Sequence, residues 1–116
     1  MTIFVHNLRI DTMPADERHV YVGRGNNYRR LKASPLANPY HLTGSESRSL
    51  VLMRYEQWLA VARQREPQRI ELHRLTELAR TGDVHLYCWC APELCHADII
   101  REAIRRRLQE ASNAGH

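Results

Sequence analysis

His85-Leu86-Tyr87-Cys88-Trp89-Cys90-Ala91-Pro92-Glu93-Leu94-Cys95-His96-Ala97-Asp98 contains all three cysteines of the 116-residue chain and one of its two tryptophans. Val84 to Cys90 alternates and is rich in β-formers, whereas Ile99, Ile100, Ala103, Ile104, Leu108 and Ala111 recur at helical spacing. Pro92 suits the first turn of a helix, where its fixed φ fits and its missing N–H costs nothing. The stretch therefore reads as a strand ending at Cys88 and Cys90, followed by a helix with Cys95 and His96 in its first turn. Strand-to-helix turns of this kind are where α/β proteins gather ligands.

Working outward, Thr2 to Arg9 reads as a first strand and His19 to Gly23 as a second, with Val20 and Val22 on one side and Tyr21 on the other. Gly23-Arg24-Gly25 ends the second strand. Residues 26–41 form a long polar and basic stretch without periodicity, and such loops in small domains are often functional. A helix is expected from Ser45 or Glu46 to Arg63, with Ser45 as its cap and Val51, Tyr55, Trp58, Leu59 and Ala62 as its buried stripe. Another is expected from Pro67 to a C-terminal stop at Gly82, burying Leu72, Leu75, Leu78 and Ala79.

This order predicts a small three-layer Rossmann-like α/β domain with a mostly parallel sheet, spanning residues 1–111 and followed by a frayed tail at 112–116. Val84 and Leu86 on one side of the strand, and Tyr87 and Trp89 on the other, suggest helices over both faces. Right-handed crossovers would bring the loops after Arg24 and Cys90 to the same sheet edge, lining one crevice.

The formal charge is +4 and the pI about 9.3, with arginine supplying the excess. Guanidinium groups hold phosphate bidentately, so nucleotides or nucleic acid are the expected partners, with a host protein as a further candidate. A solvated basic surface explains the same charge, as it does the run Arg105-Arg106-Arg107. No apolar run approaches the roughly 18 residues of a membrane span, and no signal peptide opens the chain. Clustered cysteines in odd number are unlike a secreted disulfide framework and predict a reducing, cytoplasmic setting.

Three readings of the cysteines stand side by side. In the first they belong to an enzyme site: Cys95, at the positive end of a helix, is nucleophile or thiolate, with Cys90 beside it at the strand end. His96 or His41 is then acid or base, and Asp98 orients a histidine or binds a substrate hydroxyl. Arg24, Arg29, Arg30 and Lys32 would hold a phosphate, and Asn38 a base or sugar. In the second, Cys88, Cys90, Cys95 and His96 form a Cys3His set for zinc, at a spacing unlike paired C-x2-C knuckles. In the third, the cysteines are small buried hydrophobes and Asp98 does no more than cap its helix.

Val20-Tyr21-Val22-Gly23-Arg24, Ser34-Pro35-Leu36-Ala37-Asn38-Pro39-Tyr40, Tyr55 to Leu59 and Cys88 to Asp98 together resemble a family of small proteins classed as a domain of unknown function, common in bacteriophages and bacteria. Family members often carry glycine where this chain has Ala37 and Ala97. The resemblance covers residues 19–108 and brings no settled activity. It implies that the Gly-Arg, Ser-Pro-Leu-x-Asn-Pro and Cys-Trp-Cys/Cys-His elements make one site, which adds Gly23 and Ser34 to the expected ligand-binding residues. Nucleotide or nucleoside handling by an enzyme of glycosidic or base-modifying type is the expected function. The alternatives are a phage-type binding protein that inhibits or redirects a host factor, and a zinc-bearing nucleic-acid-binding module.

Overall fold

The computed structural model describes residues 2–26, 29–40, 47–62, 64–89 and 95–114. Its sheet has three strands, β1 (Ile3–Asn7), β2 (His19–Tyr21) and β3 (Val84–Cys88), all parallel and ordered β1-β3-β2. Successive strand side chains point to opposite faces, so the register sorts the residues into rows. Val5, Leu86 and Val20 form one row across the sheet; Phe4, His85 and His19 form the next, on the other face; and His6, Tyr87 and Tyr21 repeat that second face. The strands are shorter than the alternation predicts because β3 ends at Cys88. Leu8 N–H still donates to Cys88 O and Val22 N–H to Tyr87 O, and no further ladder partner follows among the described residues.

Three helices follow the expected pattern. Helix α1 (Arg48–Ala62) buries Val51, Tyr55, Leu59 and Ala62, with Trp58 partly buried against the core. Its cap is Ser47, whose Oγ accepts from Leu50 N–H at 3.2 Å; the expected cap, Ser45, lies outside the described residues. Helix α2 (Glu66–Thr81) has Pro67 in its first turn and buries Leu72, Leu75, Thr76 and Ala79. Thr76 was not expected inside; its hydroxyl donates to Leu72 O at 2.7 Å, satisfying the buried polar group within the helix. Helix α3 (His96–Ala114) buries Ala97, Ile100 and Ile104.

Arg18 closes the far end of α2. Its guanidinium donates to Leu78 O at 2.8 Å, to Thr81 Oγ1 at 2.7 Å and to Asp83 O at 3.2 Å, supplying the helix C-terminus with donors and positive charge. A Cβ on Gly82 would lie 2.8 Å from Arg18 Nη1, so a side chain there would displace the guanidinium from its present place.

The fold is thus an α/β domain of Rossmann-like type with a parallel sheet. One core cluster joins Val20, Val84, Leu86 and Cys88 of the sheet to Tyr55, Leu72, Leu75, Ile100 and Ile104 of all three helices. Each leucine or isoleucine fully buried here contributes about 1.5–3 kcal/mol. The other face carries stacked rings: Phe4, His6, His19, His85 and Tyr87. Helical cover of that face, read from Tyr87 and Trp89, is not found among the described residues. The rings stack on one another instead, and Trp89, just past the end of β3, meets Tyr21 edge-on.

Candidate functional site

At the carboxyl end of the sheet, the segment after β2 and the start of α3 face each other across a crevice of about 350 Å³. One wall is Tyr21, Gly23, Arg24, Gly25, Asn26, Asn38 and Tyr40; the other is Trp89, Cys95 and His96, with Arg48, Val51 and Leu52 of α1 closing the side. The turn at residues 23–26 and the residues that flank the second predicted loop, Trp89 and Cys95, therefore border one crevice; residues 90–94 lie outside the described residues.

The first wall is built by local polar chemistry. Tyr21 Oη donates to Arg24 O at 2.6 Å and accepts from Trp89 Nε1 at 2.9 Å, pinning the Gly-Arg turn and the indole together. A Cβ on Gly23 would come within 2.4 Å of Tyr21 Oη, which explains the glycine. Arg24 donates from Nε to Asn38 O at 2.9 Å and from Nη2 to Tyr40 O at 2.6 Å. Ser34 Oγ accepts from Leu36 N–H and Asn38 Oδ1 from Tyr40 N–H, two short side-chain turns that shape the Ser-Pro-Leu-Ala-Asn-Pro-Tyr segment. Leu36, fully buried, plugs that segment into the core, and Tyr55 Oη donates to its carbonyl at 2.7 Å. Burial foremost, and then the neighbouring Cys95, pushes the Tyr55 phenol far above its ordinary range, so it remains a neutral donor.

The second wall is the start of α3. Cys95 lies one residue before the helix rather than inside its first turn, and Asp98 Oδ2 accepts from Cys95 N–H at 2.8 Å. This is the reaching-back half of a capping box. Asp98 Oδ1 accepts from Arg101 at 3.0 Å, so both carboxylate oxygens are engaged on α3 and the residue does not line the crevice. His96 Nε2 lies 2.6 Å from Val22 O. A carbonyl only accepts, so Nε2 carries the proton. Its ring meets Tyr55 edge-on at 5.3 Å. Cys95 Sγ is buried 3.0 Å from Cys88 Sγ.

Of the predicted residues, the crevice brings together Gly23, Arg24, Asn38, Cys95 and His96. Arg24 lines the crevice while two of its guanidinium nitrogens donate to the loop's carbonyls, and Ser34 shapes its turn from outside the lining. Arg30 is exposed at positive φ (55°) and away from the lining. Arg29 instead lies over the Trp89 ring, 5.4 Å from its centroid. Cys90 and His41 lie outside the described residues. Of the possible metal ligands, Cys88 and Cys95 meet; among the described residues no group of three or more histidine, cysteine, aspartate or glutamate side chains is arranged to hold a metal ion. Sequence reading missed Tyr21, Tyr40 and Arg48 as wall residues. Tyr21, alternating against Val20 and Val22, was the one with a visible signal.

A family model described as "Domain of unknown function (DUF4326)" matches residues 5–106. The chain belongs to that family. The DUF4326 match runs from β1 into α3 and takes in both walls of the crevice. No curated protein and no solved structure matches the chain. No described helix is long and apolar enough to cross a membrane.

Proposed function

We propose that the chain handles a nucleotide or nucleoside in this crevice, as an enzyme using the Cys95–His96 end for chemistry. The observation that carries the reading is the shared lining: a thiol and an imidazole, with the Trp89 indole in the same wall, stand across about 350 Å³ from Arg24, Asn26 and Asn38. That volume falls in the range of small-molecule sites. An indole offers a stacking surface to any nucleobase, worth about 1–3 kcal/mol per base. Asparagine amides supply both donors and acceptors for base edges or sugar hydroxyls. Arg24 and Arg48 place positive charge at the same opening, which favours a phosphate-bearing ligand.

Titration with purine and pyrimidine nucleosides and their monophosphates, followed by tryptophan fluorescence and calorimetry, tests the reading. Saturable binding is expected, stronger for the monophosphates. Arg48→Glu should weaken monophosphate binding about tenfold or more, the loss of roughly 1.4 kcal/mol, with little effect on nucleosides. Cys95→Ser should stop turnover while leaving binding in place. Absence of saturable binding across the whole panel sinks the proposal.

A further inference from the structure

We propose that Cys88 and Cys95 form a redox pair that closes to a disulfide when a peroxide enters the crevice. The two sulfurs belong to different elements, the last residue of β3 and the residue before α3, yet lie only 3.0 Å apart. A disulfide bond is about 2.05 Å long, so closure needs a movement of roughly one ångström. The cysteines are not equivalent. Cys95, though buried, is the one of the two that borders the crevice from which an oxidant would arrive, and it stands at a helix N-terminus, which favours thiolate. Cys88 is buried on the core side, outside that lining, with its sulfur 3.6 Å from His6 O. Cys95 is the attacking sulfur and Cys88 the resolving one.

The chemistry balances in two steps. The Cys95 thiolate attacks one oxygen of hydrogen peroxide; an S–O bond forms, the O–O bond breaks, and the departing hydroxide takes a proton to become water. The sulfur is oxidised by two electrons to a sulfenic acid. Cys88 then attacks that sulfur; the S–S bond forms, the S–O bond breaks, and the second hydroxide leaves with the Cys88 proton as water. Two thiols and one peroxide give one disulfide and two waters, and a dithiol reductant reverses the change. The oxidised form has no Cys95 thiol in the crevice. The inference rests on the sulfur geometry alone and stands whether or not the crevice takes a nucleotide.

The test treats the full chain with hydrogen peroxide, blocks remaining thiols by alkylation, and cleaves after glutamate, which cuts between Cys88 and Cys95 at Glu93. Titratable thiols should fall from the three of the sequence to one. The Leu78–Glu93 and Leu94–Glu102 peptides should be found joined, with fragment ions that break beside Trp89 placing the link on Cys88. Cys90→Ser should form the same link, and Cys88→Ser or Cys88→Ala should instead let Cys95 proceed to the sulfinic acid. A link through Cys90, a failure of the native chain to lose two thiols, or a metal ion held by Cys88 and Cys95 in native mass spectrometry would each overturn it.

Discussion

On one face of β3, Val84, Leu86 and Cys88 join a core cluster with side chains from three helices; on the other, His85 and Tyr87 stack with rings from β1 and β2. The first face gains its stability from area removed from water, which is insensitive to direction and to pH. The second is held by contacts that depend on both. His6 Nε2 and His85 Nδ1 are 2.8 Å apart, a distance that requires one nitrogen to donate and the other to accept. His19 Nδ1 is 2.7 Å from Tyr87 Oη, and its ring stacks on His85 with centroids 4.3 Å apart. Asp11 and Asp16 stand beside His6 and His19. A strand can thus look apolar in both directions while only one side is packed by hydrophobic burial.

Truncation should separate the faces most strongly. Leu86→Ala removes a fully buried side chain from the middle row and is expected to cost about 2–5 kcal/mol in chemical denaturation. Phe4→Ala, in the ring row at 39% exposure, should cost less than about 1 kcal/mol. Equal losses would mean that the ring face is packed like a core. A smaller effect comes from Tyr87→Phe, which keeps the ring and removes the hydroxyl that meets His19. About 1 kcal/mol is expected, and no loss would show that the stacking alone holds that row.

The smallest effect is a pH dependence. Partial burial, followed by the neighbouring His19 and His6, holds the His85 pKa below its ordinary value, with Asp83 and Asp16 opposing. Because the folded value is depressed, the unfolded chain binds the proton more readily. Above the ordinary histidine value of about 6.5 both states are neutral and the group contributes nothing. As pH falls below it, stability declines, and it levels off once the folded His85 also protonates. Thermal melts between neutral and mildly acidic pH should show a modest decline that His85→Gln reduces; an unchanged slope in the variant would assign the decline elsewhere.

Helices and the burying face were legible because their signals are periodic. Val51, Tyr55, Leu59 and Ala62, or Leu72, Leu75 and Ala79, recur at the helical interval, and Pro67 and Gly82 mark the limits of α2. The meeting of the Gly23 turn with Cys95 was legible from topology. The jobs of individual polar residues were not. Arg24 and Asp98 read as ligand-binding and catalytic candidates, while their partners, the Asn38 and Tyr40 carbonyls for Arg24 and Cys95 N–H and Arg101 for Asp98, appear only in the structure. Those partners lie on backbone atoms or a turn away, where residue identity leaves no trace. Ring stacking across β1, β3 and β2 was hidden for a related reason. It depends on a register between segments up to about eighty residues apart, which the strand patterns do not state.

The order β1-β3-β2 also sets a timetable. A chain made from its N-terminus presents Ile3–Asn7 and His19–Tyr21 early, but their shared partner in the sheet is Val84–Cys88. Until that strand emerges, both carry unpaired backbone edges while α1 and α2, whose hydrogen bonds are local, can already form. Helices first and the whole sheet at once is the expected order, with ladder formation as the slow, long-range event. An interruption of synthesis before Val84 would leave two helices and no sheet at all.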